Sequence, residues 1–268
     1  MTVRVALHDG WTVRAVGGDI PDGMVGAAIP ATVPGCVHLD LMSAGLIPDP
    51  YIGENERLVS WIGRTDWRYE TTFVWDDPGA DAEVDLVAMG LDTVATIEVN
   101  GTELARTDNM HRSYRFAVRD LLRVGENTSA ITFTAALTAA ERASKVLGPR
   151  PHVNAHPFNA IRKMACNFGW DWGPELVTAG IWRPLRLETW HEARIAAVRP
   201  LVEVDGTTGL LRAHVDVQRR GDRPLSVGVE IAGLRASATL APGESSALVE
   251  VTIPEVHLWW PRGYGDQP

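Results

Sequence analysis

Lysine is almost missing from this chain: only Lys145 and Lys163 occur among its 268 residues. Arginine carries the positive charge instead, which reads as genomic codon bias, and acids outnumber bases to leave a net charge of −9. With no basic stripe to neutralise phosphates, the composition argues against a nucleic-acid partner. Cysteine is equally scarce. Cys36 and Cys166 stand far apart, match no metal spacing and are expected to be reduced, buried thiols. No apolar run is long enough for a secretion signal or a membrane span, so a cytoplasmic location without a membrane partner is expected. Neither a GxSxG elbow nor a GxxxxGK phosphate loop occurs, which leaves acyl and phosphoryl transfer without support.

What is present is a β-rich texture. Short alternating apolar runs are split by Gly, Pro, Asn and Asp, as in WRYETTFVW (67–75), AEVDLVAMG (82–90), TVATIEVN (93–100), SAITFTAAL (129–137) and WRPLRLETW (182–190). Period-two alternation between turn residues is the pattern of an antiparallel sandwich. Asn100-Gly101 between two such runs predicts a tight hairpin, because both turn positions need positive φ. The chain is long enough for two domains. The first is placed at 1–190 and interrupted at about 138–169 by a helical excursion. There TAAERASKVLG predicts a helix capped by Thr138 and Glu141 and stopped at Gly148-Pro149. Such a long excursion carrying aromatic residues suggests function. The second domain, 191–268, holds five further strand-like runs with immunoglobulin-like texture and is expected to be incomplete at Pro268.

The chemistry-bearing candidates are few. Asp171 and Glu175 are separated by Gly173-Pro174, read as a tight turn, which cannot place two acids on opposite sides of a sugar ring. Asn55-Glu56 resembles the acid/base dipeptide of barrel glycosidases but lacks a barrel around it. A turn whose acid caps or pairs with Arg57 or Arg64 is the expectation. His152 and His156 have an i,i+4 spacing, yet Pro151 and Pro157 disfavour a helix there, so no metal is expected. The stretch CNFGWDWGPE (166–175) remains. Tryptophan platforms with an ionised carboxylate suit a sugar's apolar C–H face and its hydroxyls. A buried turn with Asp171 capping backbone amides explains the same residues, and composition leaves both open.

The ordered blocks IPATVPGCVHLDLMSAGLIPDPYIGENERLVSWIGRTDWRYETTF, VNGTEL, NMHRSYRF, MACNFGWDWGPELVTAGIWRPLRLETW and LWWPRGYGDQP resemble the N-terminal part of β-mannosidases of glycoside hydrolase family 2, over nearly the whole chain. The resemblance implies an all-β architecture: a jelly-roll (galactose-binding-like) β-sandwich followed by an immunoglobulin-like β-sandwich. It also implies a retaining exo-β-mannosidase without cofactor, whose two catalytic glutamates lie in a (β/α)₈ barrel that would be absent from these residues. On that pattern Asp171 binds hydroxyls of a terminal β-mannoside, and Trp170 and Trp172 shape the pocket. Arg162 and Lys163, just upstream, are further candidates as partners that orient Asp171. The expected partners are thus carbohydrate and the catalytic barrel of the same protein, and the rival expectation is a free-standing carbohydrate-binding module.

Overall fold

The computed structural model describes residues 2–24, 26–148 and 150–268. The chain forms two compact units, one of Val3–Thr189 and a second of Trp190–Pro268.

In the first unit the alternation seen in the sequence becomes an all-β sandwich. Strand Thr65–Trp75 alternates buried and half-buried positions, so Thr65, Trp67, Tyr69 and Thr71 face inward. It lies central in a six-stranded sheet of order Ile29–Pro30, Thr12–Gly18, Thr65–Trp75, Gly125–Phe133, Ala95–Val99 and Thr102–Thr107. The opposing four-stranded sheet runs Val3–Ala6, Leu185–Trp190, Glu83–Ala88 and Tyr114–Ala117. Its first strand pairs with its last in sequence, Val3 opposite Thr189, so the unit closes on itself. Trp67, Tyr69, Leu86, Ile97, Ile131 and Phe133 fill the shared core, each removal from water contributing about 1.5–3 kcal/mol. The polar ends of the buried aromatics are satisfied: Trp67 Nε1 donates to the Ile62 carbonyl at 3.1 Å and the Tyr69 hydroxyl to Asp40 Oδ2 at 2.9 Å.

The expected hairpin at Asn100-Gly101 is present, with φ of +51° and +77° and Val99 paired to Thr102. The excursion differs in detail from its sequence reading. The helix runs Ala136–Leu147, two residues earlier than expected, and the preceding strand ends at Phe133. Thr138 makes no cap; instead Asp66, far away in the sequence, accepts from the Ala135 N–H at 2.7 Å. Glu141 is drawn off to Arg64 at 2.9 Å. Of the stop expected at Gly148-Pro149, Gly148 follows the helix with φ +79° and Pro149 lies outside the described residues. Two short helices, Val37–Ser43 and Asn55–Leu58, carry no period-two signal.

The second unit contains all five expected strands. Ala193–Asp205, Thr208–Arg219 and Ser246–Ile253 form one sheet, Leu225–Ile231 and Leu234–Leu240 another. They enclose a small core of Ala213, Val215, Val217, Val227, Leu240 and Val249. Strand Ala193–Asp205 leaves Ile195, Val198, Leu201, Val202 and Val204 exposed. Among the described residues no helix is long and apolar enough to cross a membrane.

Candidate functional site

The motif CNFGWDWGPE folds as a hairpin. Phe168–Trp170 pairs antiparallel with Gly173–Glu175, with Phe168 opposite Glu175 and Trp170 opposite Gly173. This corrects the sequence reading: the turn is Asp171-Trp172, and Gly173-Pro174 belongs to the returning strand. A proline fits there because the sheet has only two strands, both edges.

Of the two readings that composition left open, the exposure of the tip excludes the buried turn. Trp170 and Trp172 are 41% and 72% exposed, with ring centroids 6.3 Å apart, and Asp171 is exposed between them. Asp171 caps no backbone and has no hydrogen-bond or ion-pair partner among the described residues. A hollow of about 540 Å³ opens beside the tip, lined by Asn154, Phe168, Trp170, Asp171 and Glu175 among others. Two half-open indoles beside a free carboxylate offer apolar surface and a charged acceptor together, the pair of features that sugar hydroxyls and C–H faces need.

Beneath the tip the hairpin is seated on apolar and hydrogen-bonded contacts. Phe168, 1% exposed, packs in a separate apolar cluster with Ala136, Leu137, Ala140 and Val177, against which Phe158 and Ile161 also lie. The helix of the excursion is therefore the floor of the hairpin. Phe158 meets Trp170 edge-on at 6.5 Å. Asn154 Nδ2 donates to the carbonyls of Phe168 and Gly169, both at 3.3 Å. His156 Nε2 lies 2.9 Å from Glu175 Oε1. Glu56 Oε2 accepts from the Glu175 N–H at 3.2 Å, while Arg57 pairs with Glu54 and Arg64 with Glu141. Glu56 is thus a brace for the hairpin, a role its own sequence surroundings do not signal. Among the described residues His152 Nδ1 lies 2.7 Å from the Asn154 carbonyl oxygen, and no group of three potential metal ligands occurs.

The two basic candidates part company. Arg162 is exposed and uses its backbone, bridging to Asn109 and accepting from the Met110 N–H at 3.0 Å. Lys163 does not orient Asp171. Its side chain is 0% exposed, and its Nζ donates to both Asp92 oxygens at 2.6 Å and to the Thr178 carbonyl at 2.9 Å. A buried ammonium needs a buried counter-charge, and the sandwich supplies Asp92 where the exposed tip cannot. Burial pushes the Lys163 pKa below its ordinary value, opposed by the Asp92 charge.

His38 faces the same pair. Burial first, then the Lys163 charge, lower its pKa to about 4 against the pull of Asp92, and its Nδ1 has no partner among the described residues. The unfolded chain therefore takes up this proton before the folded one does. Stability is full above about pH 6.5 and is lost as pH falls towards 4, by about 2 kcal/mol between pH 7 and 5. Urea unfolding at those two pH values is expected to show this loss in the wild type and most of it removed in His38→Met.

Residues 11–183 match the family model described as glycosyl hydrolase 2 galactose-binding domain-like. Across 99% of its length the chain is 36% identical to β-mannosidase B of Thermothelomyces thermophilus, of which it covers 31%. The structure superposes on a β-D-mannosidase from Dictyoglomus thermophilum with a TM-score of 0.88 and 33% identity, covering 98% of this chain and 33% of that one. The exo-chitosanase CsxA of Amycolatopsis orientalis shares the fold, with a TM-score of 0.71 at 18% identity. The chain thus spans about a third of the length of the curated relatives it matches.

Proposed function

The chain belongs to the glycosyl hydrolase 2 galactose-binding domain-like family, and from that premise we propose that it is the N-terminal, non-catalytic portion of a retaining exo-β-mannosidase. In this reading Asp171 accepts hydroxyl protons of a terminal non-reducing β-D-mannose residue, and Trp170 and Trp172 wall the pocket. Arg162, exposed just upstream, remains a lesser candidate at the rim. The observation that carries the reading is the unpartnered carboxylate held between two half-open indoles at the tip of a braced hairpin.

Double displacement at a glycosidic bond needs an acid/base and a nucleophile carboxylate about 5–5.5 Å apart. Among the described residues Glu56 and Glu175, the acids bonded at the base of the hairpin, are both engaged in holding it. In this reading the chemistry belongs to a catalytic barrel in the two-thirds of the relatives' length that this chain does not span. The exposed apolar row Ile195, Val198, Leu201 and Val202 supports an expectation that further protein packs on the second unit. A cytoplasmic location belongs to the same reading; Cys36 and Cys166 are both free and half-buried, not fully buried as expected.

Incubated alone with an aryl β-mannoside, these 268 residues are expected to give no turnover. Activity that copurifies with them would refute the non-catalytic assignment. The exposed tryptophans also suit a free-standing carbohydrate-binding module. Isothermal titration with mannose and mannobiose separates the two: saturable binding by the chain alone favours the module, and its absence favours one wall of a larger pocket.

A further inference from the structure

The buried Lys163–Asp92 pair is not an isolated core feature, because of where its partners sit along the chain. Lys163 lies just ahead of the hairpin's first strand, and Thr178 just beyond its second. Asp92 holds both. Its two oxygens accept from Lys163 Nζ at 2.6 Å, and Oδ2 also accepts from the Thr178 hydroxyl at 2.6 Å. Lys163 Nζ closes the triangle by donating to Thr178 Oγ1 at 3.0 Å and to its carbonyl at 2.9 Å.

Backbone contacts reinforce the same point. Asp92 N–H donates to the Gly180 carbonyl at 2.9 Å and the Gly180 N–H returns to Asp92 at 3.2 Å. Gly180 itself admits no side chain: a Cβ there would sit 2.8 Å from the Gly35 carbonyl oxygen and 2.9 Å from Cys36 Cα. On the other flank, the Met110 N–H donates to the Arg162 carbonyl at 3.0 Å. Both feet of the hairpin are thus pinned to Asp92 in the loop after strand Glu83–Ala88, and the first also to Met110 in the loop after strand Thr102–Thr107, while the tip is exposed.

We propose that Asp92, gripping Lys163 and Thr178, is a clasp that closes the base of the Phe168–Glu175 hairpin and fixes where its tip presents Asp171. Asp92, Lys163 and Thr178 are positioning residues, since Lys163 has no exposed side-chain surface and Asp92 is buried. A salt bridge suits this task because separating two buried charges would leave each uncompensated away from water, so the seated arrangement is favoured over a released one. The consequence for turnover rests on the sugar-contacting role of Asp171; the consequence for hairpin mobility does not.

Thr178→Val is the test variant, because it deletes the hydroxyl while preserving shape, and Thr178→Ser is its rescue. Amide hydrogen exchange of this chain is read at residues 168–175 and, as reference, in strand Thr65–Trp75. The clasp requires exchange at least about tenfold faster in the hairpin of Thr178→Val, an unchanged reference strand, and recovery in Thr178→Ser. Wild-type protection in the hairpin, or equal acceleration in both regions, overturns it. Should Thr178→Val fold poorly, the paired variant Asp92→Asn, Lys163→Met removes both charges together and is read in the same way.

In the intact enzyme, Thr178→Val is expected to lower kcat/KM about tenfold, mostly through kcat, and to cost nothing further in an Asp171→Ala background. A loosened hairpin with full turnover would leave the clasp standing and overturn the sugar-contacting reading instead.

Discussion

Asp171→Ala in the intact enzyme is expected to reduce kcat/KM for an aryl β-mannoside by about 10²–10⁴-fold. A free carboxylate can accept from two sugar hydroxyls, and each charge-assisted bond is worth about 1.5–3 kcal/mol when water is excluded. Losing bonds that strengthen as the sugar ring flattens towards the transition state lowers kcat as well as raising KM. Folding offers no competing explanation. Asp171 is exposed and unpartnered among the described residues, so the melting temperature of Asp171→Ala is expected to match the wild type. Asp171→Asn keeps the shape and one acceptor, and its loss is expected to be intermediate. Near-normal kinetics in Asp171→Ala would remove the carboxylate from the site.

Phe168→Ala is expected to have the largest effect on stability, about 3–5 kcal/mol, with turnover falling alongside it. The ring is the one large aromatic at the centre of the small cluster that joins the hairpin to helix Ala136–Leu147. Its neighbours Ala136 and Ala140 are too short to collapse into the space it leaves, so a cavity persists. Because this cluster is separate from the sandwich core, the loss is concentrated in the excursion and hairpin. Thermal unfolding followed by tryptophan emission checks this: Trp170 and Trp172 should report an early transition in Phe168→Ala that the sandwich does not share. Phe168→Leu, which keeps most of the volume, should lose far less. A single, wild-type-like transition in Phe168→Ala would show that the helix is not the hairpin's floor.

The sequence made the architecture readable wherever a local pattern dictates it. Trp67 and Tyr69 alternate with polar neighbours because one sheet face is buried, and Asn100-Gly101 marks its hairpin because few other pairs accept two positive φ angles. The Trp170-Asp171-Trp172 trio stood out because indoles around an acid are costly without a reason. Its exposure, however, depends on the strand pairing of Phe168 with Glu175, which local composition does not encode. Long-range partners were hidden for the same cause. The helix start is set by Asp66 rather than Thr138, and Lys163 is claimed by Asp92 rather than Asp171. Glu56 and His156 are of residue types that suit catalysis or metal binding, yet both brace Glu175. In each case a polar residue was visible but its partner lay on a distant strand or loop.

The most direct test of the central claim deletes the hydroxyls from the substrate rather than the carboxylate from the protein. The intact enzyme and its Asp171→Ala variant are assayed on monodeoxy aryl β-mannosides lacking each ring hydroxyl in turn. If Asp171 holds mannose, at least one deoxy substrate costs the wild type about 10–100-fold in kcat/KM and costs Asp171→Ala almost nothing. If every deoxy substrate costs the two enzymes equally, Asp171 touches no sugar hydroxyl, and the hairpin tip is not a wall of the substrate pocket.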